Sequence, residues 1–151
     1  MADSKDMRDW AANAWGNVEK RREEEKHKNA ALVAEEALKK RETPVLWSQA
    51  RETMRAMCEA FNKSAGTEHL IWDSERGYQA IIRIAPSSRS FSAIFYKDSF
   101  RIVLSGPRLN ATYAPVVRGG TVLFSGEGRE STAEELAKRF LDHVVSDLAP
   151  E

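Results

Sequence analysis

The apolar positions of the first forty residues form two groups at helical spacing, separated by a charged stretch. Residues 5–42 contain no proline and one glycine, and they are rich in Ala, Glu, Lys and Arg, all of which favour helix. Residues 19–29 contain no apolar side chain, yet oppositely charged pairs one turn apart stabilise a helix there. We therefore predict a long charged N-terminal helix with apolar residues near both ends.

A second helix is predicted to begin where Thr43 and Pro44 interrupt the charged composition. Thr is a good N-cap, and Pro suits the first helical position because its missing N–H costs nothing there. We expect this helix to continue to about Ala65, with Gly66 as its C-terminal stop. Its apolar stripe consists of Leu46, Ala50, Met54, Met57, Cys58 and Phe61.

The periodicity changes to two between residues 69 and 125, where short apolar segments alternate with Gly, Pro, Asp and Ser. This pattern predicts an antiparallel meander of five or six strands. A last helix should follow, with Ser131 and Glu134 as its capping box, and its wide apolar face must pack on something. The economical fold is α+β, with two helices on one face of the sheet. We expect residues 1–43 to form a projecting helical arm and residues 44–151 to form the α+β domain.

The overall amino-acid composition is that of an ordinary globular protein. The chain has 151 residues, of which 42% are hydrophobic and 30% are charged. The 23 basic side chains equal the 23 acidic ones in number, so the chain has no net positive charge that would attract an anionic partner. The single cysteine, Cys58, excludes an internal disulfide and fits a reducing compartment. The first thirty residues carry Asp3, Asp6 and Asp9 without a long apolar run, so we expect no secretory or transit signal. We expect a cytoplasmic protein without a transmembrane segment.

Signatures of catalysis are weak. The three histidines, His27, His69 and His143, belong to no recognised catalytic or metal-binding motif. His69 shares a strand face with Asp73, but no further ligand or nucleophile marks a site there. The Gly-x-Gly stretch of residues 124–131 superficially resembles a phosphate loop, but it is followed by carboxylates that would repel phosphate. We predict a protein that is not an enzyme and needs neither cofactor nor metal.

Positive charge is concentrated on the predicted sheet. Residues 76–126 contain seven basic side chains and one acid. Strand alternation assigns two sets of residues to the core face: Tyr78, Ala80, Ile82 and Ile84, and likewise Phe100, Ile102 and Leu104. It places Arg83 and Arg101 on the outer face, with either Lys97 and Phe95 or Tyr96 and Ile94 beside them, according to the register of the strand that contains those residues. The predicted anion-binding residues are Arg83, Lys97 and Arg101. Such a face suits single-stranded nucleic acid or an anionic ligand, although one-sided sheets also carry basic residues simply for solubility. A third hypothesis is that the protein binds a small apolar ligand between the sheet and the helices.

The N-terminal apolar group supports the leading hypothesis. Eleven charged helical residues span about 16 Å, so the group is predicted to lie away from the domain, unless the arm folds back or rests on a membrane surface. Exposed apolar patches containing Trp mark interfaces. We predict a non-enzymatic interaction or adaptor protein that self-associates, as in a coiled coil, or docks a protein partner. The predicted partner-binding residues are Met7, Trp10, Ala14, Trp15 and Val18.

Overall fold

The structure, a computed structural model, describes residues 4–148 as two helices and seven strands. The elements are α1 Ser4–Ala65, β1 Leu70–Trp72, β2 Gln79–Ile84, β3 Ser90–Tyr96, β4 Arg101–Gly106, β5 Leu109–Arg118, β6 Thr121–Gly126, β7 Arg129–Ser131 and α2 Ala133–Ser146. Neither of these two helices has an apolar stretch long enough to cross a membrane.

The seven strands form one sheet in chain order, and each strand runs antiparallel to the next. The predicted α+β class and antiparallel meander are confirmed, with seven strands in place of five or six. The additional strand is β7, in a stretch predicted to be a loop. Glu127 and Gly128 make the preceding turn with positive φ values of 54° and 72°. Glu is an unusual residue for such a turn, so the local sequence did not indicate a hairpin.

The existence of β7 also moves the start of the last helix. Ser131 pairs with Phe124 in the sheet and is fully buried, so it is not the N-cap. Thr132 is the cap, and the capping box joins it to Glu135. The predicted box of Ser131 and Glu134 was therefore wrong by one residue, because strand pairing decided which of two adjacent hydroxyl residues begins the helix.

The predicted helix boundary at Thr43 and Pro44 was wrong. Pro44 lies inside α1, which is continuous from Ser4 to Ala65. A proline within a helix removes one backbone hydrogen bond and disfavours the preceding turn. Continuing the helix keeps Thr43 and Trp47 one turn apart on the same face, where both are buried; this burial favours helical continuation through the proline.

One core joins α1 and α2 to the inner face of the sheet, as predicted for two helices packed on one face. The largest fully buried side chains include Met54 of α1, Phe91 and Phe124 of the sheet, and Phe140 of α2. Burial alternates along the strands, so that Ala80, Ile82 and Ile84 face inward, with Gln79, Ile81 and Arg83 on the other face.

Polar contacts fix α1 to the neighbouring strands. The Trp47 indole donates to the Gly77 carbonyl at 2.8 Å, and Arg51 donates to the Gln79 carbonyl at 2.8 Å. Asn62 donates to the Leu70 carbonyl and accepts from the backbone N–H of the same residue. Because these bonds join side chains to strand ends, they set where the sheet lies along this part of α1.

Internal contacts divide the chain into two units, Met1–Ala37 and Leu38–Glu151. The described residues of the first unit are all helical, and the second unit contains the sheet, α2 and the remainder of α1. The sequence-based boundary between residues 43 and 44 stays a prediction.

Candidate partner-binding surface

The five predicted partner-binding residues share one broad face of α1. At 100° per residue, Ala14 and Val18 lie within about 20° of the direction of Met7. Trp10 lies about 60° to one side and Trp15 about 80° to the other. The two indoles therefore border a strip whose centre carries smaller side chains, and the strip extends over about 16 Å of helix. We call these five residues the apolar strip.

Four of the five side chains in the apolar strip are classed as exposed. The relative exposure is 72% for Trp10, 62% for Met7, 53% for Trp15 and 36% for Val18, and Ala14 is half-buried. Scattered single apolar residues are normal on protein surfaces, but contiguous large ones usually mark a binding site. The structure thus brings the predicted residues together and leaves their large side chains accessible.

A cation partly covers one edge of the apolar strip. The Arg22 guanidinium lies 5.5 Å from the centroid of the Trp15 ring, a distance at which the ring quadrupole attracts the charge. No corresponding cation–π contact is found for Trp10 within residues 4–148. Trp10 is consequently the more available of the two indoles and the better anchor for a partner.

The ionised side chains that surround Met7 in the sequence carry no net charge. Lys5 and Arg8 balance Asp6 and Asp9 within the first turns of α1. Long-range steering requires a local excess of one sign of charge, and these first turns of α1 have none.

The basic residues predicted for anion binding do not form one cluster. Arg83 is paired with Ser90 across β2 and β3, whereas Arg101 is paired with Tyr96 across β3 and β4. Ser90 and Tyr96 are six positions apart along β3, which corresponds to about 20 Å at 3.3 Å per residue. Lys97 directly follows Tyr96, so it lies at the same end as Arg101 and at the opposite end from Arg83.

At least two of the seven basic residues counted on the predicted sheet, Arg89 and Arg118, form ion pairs with acids outside the sheet or at its edge. Arg118 contacts Glu130 at 2.8 Å, and Arg89 contacts Asp147 at 3.0 Å. These ion pairs reduce the local positive charge that the sequence count suggested. What remains at one end of the outer face is Tyr96, 48% exposed, with Lys97 and Arg101 beside it in the chain and in the register.

The side chains considered for catalysis remain separate from one another. Cys58 is buried at 2% exposure, and burial, with a smaller contribution from the Glu59 charge, raises its pKa to about 12. His69 lies before β1, and its ring makes a T-shaped contact with the ring of Phe61. Between residues 4 and 148, no group of three His, Cys, Asp or Glu side chains is arranged to hold a metal.

Sequence reasoning missed a polar cleft in the second unit. Seven residues line its larger part: Tyr113, Glu127, Arg129, Arg139, Asp142, His143 and Ser146. The four from α2 follow the spacing i, i+3, i+4 and i+7, which indicates one polar helix face. That spacing was readable in the sequence, but its juxtaposition with β5 and the β6–β7 turn depends on tertiary structure. His143, interpreted from sequence as structural or solvated, is an exposed side chain of this cleft.

Comparisons with protein-family models, with curated proteins and with solved structures found no match to this chain. Its function is therefore inferred from the chemistry of its own residues.

Proposed function

We propose that this is a non-enzymatic interaction protein whose N-terminal helix docks into an apolar groove of a partner protein. The observation that carries the proposal is the exposure of Trp10, 72%, next to Met7, 62%. Tryptophan is favoured as an interface anchor because it buries a large rigid surface with little loss of side-chain entropy. The other members of the apolar strip extend the contact along the groove.

The length of the apolar strip favours a groove over a coiled coil. A helix that docks in a groove needs apolar anchors over only two or three turns, which is what Met7, Trp10, Ala14 and Val18 supply. A coiled coil needs the apolar repeat over three or four heptads. The next two positions at this seven-residue spacing after Met7 and Ala14 are Arg21 and Lys28. A longer coiled coil would therefore place two cations at its helix–helix interface.

The test uses the full chain with a photoreactive amino acid in place of Met7. In an extract from cells that make the protein, we expect light-dependent capture of one partner protein. The control replaces Gly16, which lies about 180° from Met7 around the helix, and should capture none of it. A cross-linked species with twice the mass of the chain would show self-association, and it would contradict docking to a different protein.

A matched pair of variants then tests the anchor. Trp10→Ala should weaken binding of the captured partner at least about tenfold, as expected for a central interface tryptophan. Val33→Ala changes a side chain of similar exposure, 69%, in the same unit but outside the apolar strip, and it should leave binding unchanged. Equal binding by wild type and Trp10→Ala would refute the proposal.

We propose a second, lesser function for the end of the outer sheet face that carries Tyr96, Lys97 and Arg101. An exposed aromatic ring beside two cations suits stacking of a base and pairing with its phosphate. Binding of a single-stranded oligonucleotide should weaken as salt rises and should be lost in Arg101→Gln. Arg83→Gln is the control, because Arg83 lies about 20 Å away along the sheet. Salt-independent binding, or equal loss in both variants, would exclude this site.

The third function suggested by sequence, an apolar ligand between sheet and helices, has less support. The chain's own side chains occupy that space, among them the fully buried Met54, Phe91, Phe124 and Phe140. Protein interiors packed in this way leave few voids larger than a water molecule.

A further inference from the structure

The apolar strip occupies one arc of α1, and charged residues continue that arc along the helix. If the direction of Met7 is taken as zero, the arc runs from about −60° at Trp10 to about +80° at Trp15, at 100° per residue. No ionisable side chain lies within this arc between Met7 and Val18. This face of the helix is therefore apolar over these turns.

Positive charge predominates within the same arc over the next turns. Arg21 lies at about −40°, Arg22 at about +60° and Lys28 at about −60°; we call these three residues the basic extension. The one acid of residues 19–28 that lies within the arc is Glu25. The other ionisable residues of this segment lie outside the arc: Glu19, Lys20, Glu23, Glu24, Lys26 and His27. The arc thus holds three cations against one acid, whereas the rest of the circumference holds three acids against two lysines.

The basic extension has no acidic partner within the described chain. Its three side chains are exposed, and no ion pair is found for them among residues 4–148. On the other side of the helix, by contrast, Glu23 lies 3.6 Å from His27. The Arg22 guanidinium lies 5.5 Å from the centroid of the Trp15 ring. A carboxylate that paired with Arg22 would therefore lie at the border of the apolar strip.

The order of apolar and basic residues along one face favours a protein surface over a membrane. A helix that lies in a bilayer interface keeps its apolar face continuous and carries its basic side chains on the opposite, polar face. In α1 the basic extension interrupts the apolar face, and Glu25 lies in the same direction as Met7, at the centre of the arc. A folded protein can present an apolar groove at one place and carboxylates only beyond its end.

We propose that the partner's groove ends in an acidic surface, whose Asp or Glu side chains pair with the basic extension. This inference deepens the proposed function and rests on it. A short apolar strip can enter a groove in either direction, but acids at one end favour one of the two, because complementary charges fix the register of an interface. The basic extension therefore sets the direction in which α1 docks.

The test uses the full chain, with the protein captured through position 7 as the probe. A triple variant, Arg21→Gln, Arg22→Gln and Lys28→Gln, removes the basic extension and introduces only good helix formers. At low salt it should bind the captured protein at least about tenfold more weakly than wild type, mainly through slower association. Raising the salt concentration should weaken binding by wild type and change binding by the variant much less, because salt screens exposed charges.

The matched control is the triple variant Arg8→Gln, Lys20→Gln and Lys26→Gln. It removes the same charge from exposed positions that lie at about 100° or more from Met7. It should bind within about threefold of wild type, since screening limits the effect of charges away from the interface. A carbodiimide, which joins an amine to a carboxylate in contact with it, should link Lys28 to the captured protein but should not link Lys20.

Equal weakening by the two triple variants would overturn the inference, since net charge and not its position would explain the effect. Unchanged binding on removal of the basic extension would also overturn it, and the proposed function would stand if Trp10→Ala still abolished binding. Wild-type binding to vesicles of equimolar phosphatidylserine and phosphatidylcholine, lost without the basic extension, would identify the acidic surface as lipid and overturn it. If no protein is captured through position 7, the proposed function fails, and this inference fails with it.

Discussion

Gly126 lies so close to Tyr113 that a Cβ atom on Gly126 would come within 2.6 Å of the tyrosine ring and 2.5 Å of the Thr112 carbonyl oxygen. The contact forms where β6 ends beside the middle of β5. Gly126→Ala must displace backbone as well as ring, so we expect a loss of about 1–3 kcal/mol in the free energy of unfolding, as for other overpacked interiors. Chemical denaturation measures this loss.

Gly77→Ala is the control for that prediction. A Cβ atom on Gly77 would meet nothing within 4 Å, and the Gly77 carbonyl can still accept the hydrogen bond from Trp47. Its unfolding free energy should stay within about 0.5 kcal/mol of wild type. Equal destabilisation by the two substitutions would mean that glycine flexibility, and not the contact with Tyr113, explains the result.

The two tryptophans Trp10 and Trp47 should respond oppositely to truncation. Trp47 is 2% exposed and stacks on Phe95 with ring centroids 5.8 Å apart, so Trp47→Ala should cost about 3–5 kcal/mol. Trp10→Ala should change unfolding by less than about 0.5 kcal/mol, because most of its ring is already in solvent. Urea denaturation followed by circular dichroism compares the variants. A large destabilisation by Trp10→Ala would show that its ring supports the fold, and would weaken the case for a docking surface.

The fold class was predictable because its signals are local. Alternation placed Ala80, Ile82 and Ile84 on the core face, and the structure buries all three. The same rule also assigned Tyr78 and Phe100 to the core, although both precede their strands. Tyr78 is 47% exposed, so that assignment was wrong. Phe100 packs against the core while partly buried, from a turn before β4 in which its φ is 58°.

Features that depend on strand pairing could not be predicted from the sequence. The alternation within β3 left open whether Phe95 or Tyr96 faces outward, and packing of Phe95 on Trp47 decides it. The separation of Arg83 from Arg101 follows from their partners in β3, which no local pattern reveals. The polar cleft likewise depends on the pairing of β5, whose residues 109–113 pair with β4 and residues 114–118 with β6, although the polar face of α2 was visible in the sequence.

Cys58 should be unreactive in the folded protein. Burial raises the pKa of its thiol to about 12, so at pH 8 only about one molecule in ten thousand would carry the nucleophilic thiolate. We expect a disulfide reagent to modify Cys58 only as fast as the protein unfolds. Ser64→Cys in a Cys58→Ala background places a thiol at an exposed position of the same helix and should react quickly. Rapid reaction of native wild type would show that the thiol is accessible.

Glu135 should make the stability of the protein depend on pH in the acid range. Hydrogen bonds from the backbone and side chain of Thr132 lower the pKa of its carboxyl group, so the folded state favours the ionised form. The resulting stabilisation is present above the unfolded-state pKa, near 4.5, and is lost as the pH falls through the lower folded-state value. Glu135→Gln keeps an acceptor for the capping box but does not titrate.

Wild type should therefore be more stable than Glu135→Gln at pH 6, and the difference should shrink toward pH 3, as measured by thermal unfolding across that range. Glu134→Gln is the control, because it removes the same charge from the same helical turn and leaves the capping box intact. A difference between wild type and Glu135→Gln that stays constant from pH 6 to pH 3 would show that the carboxylate form is not favoured by folding. If Glu134→Gln gives an equal pH dependence, the helix dipole, and not the hydrogen bonds from Thr132, is the source of the effect.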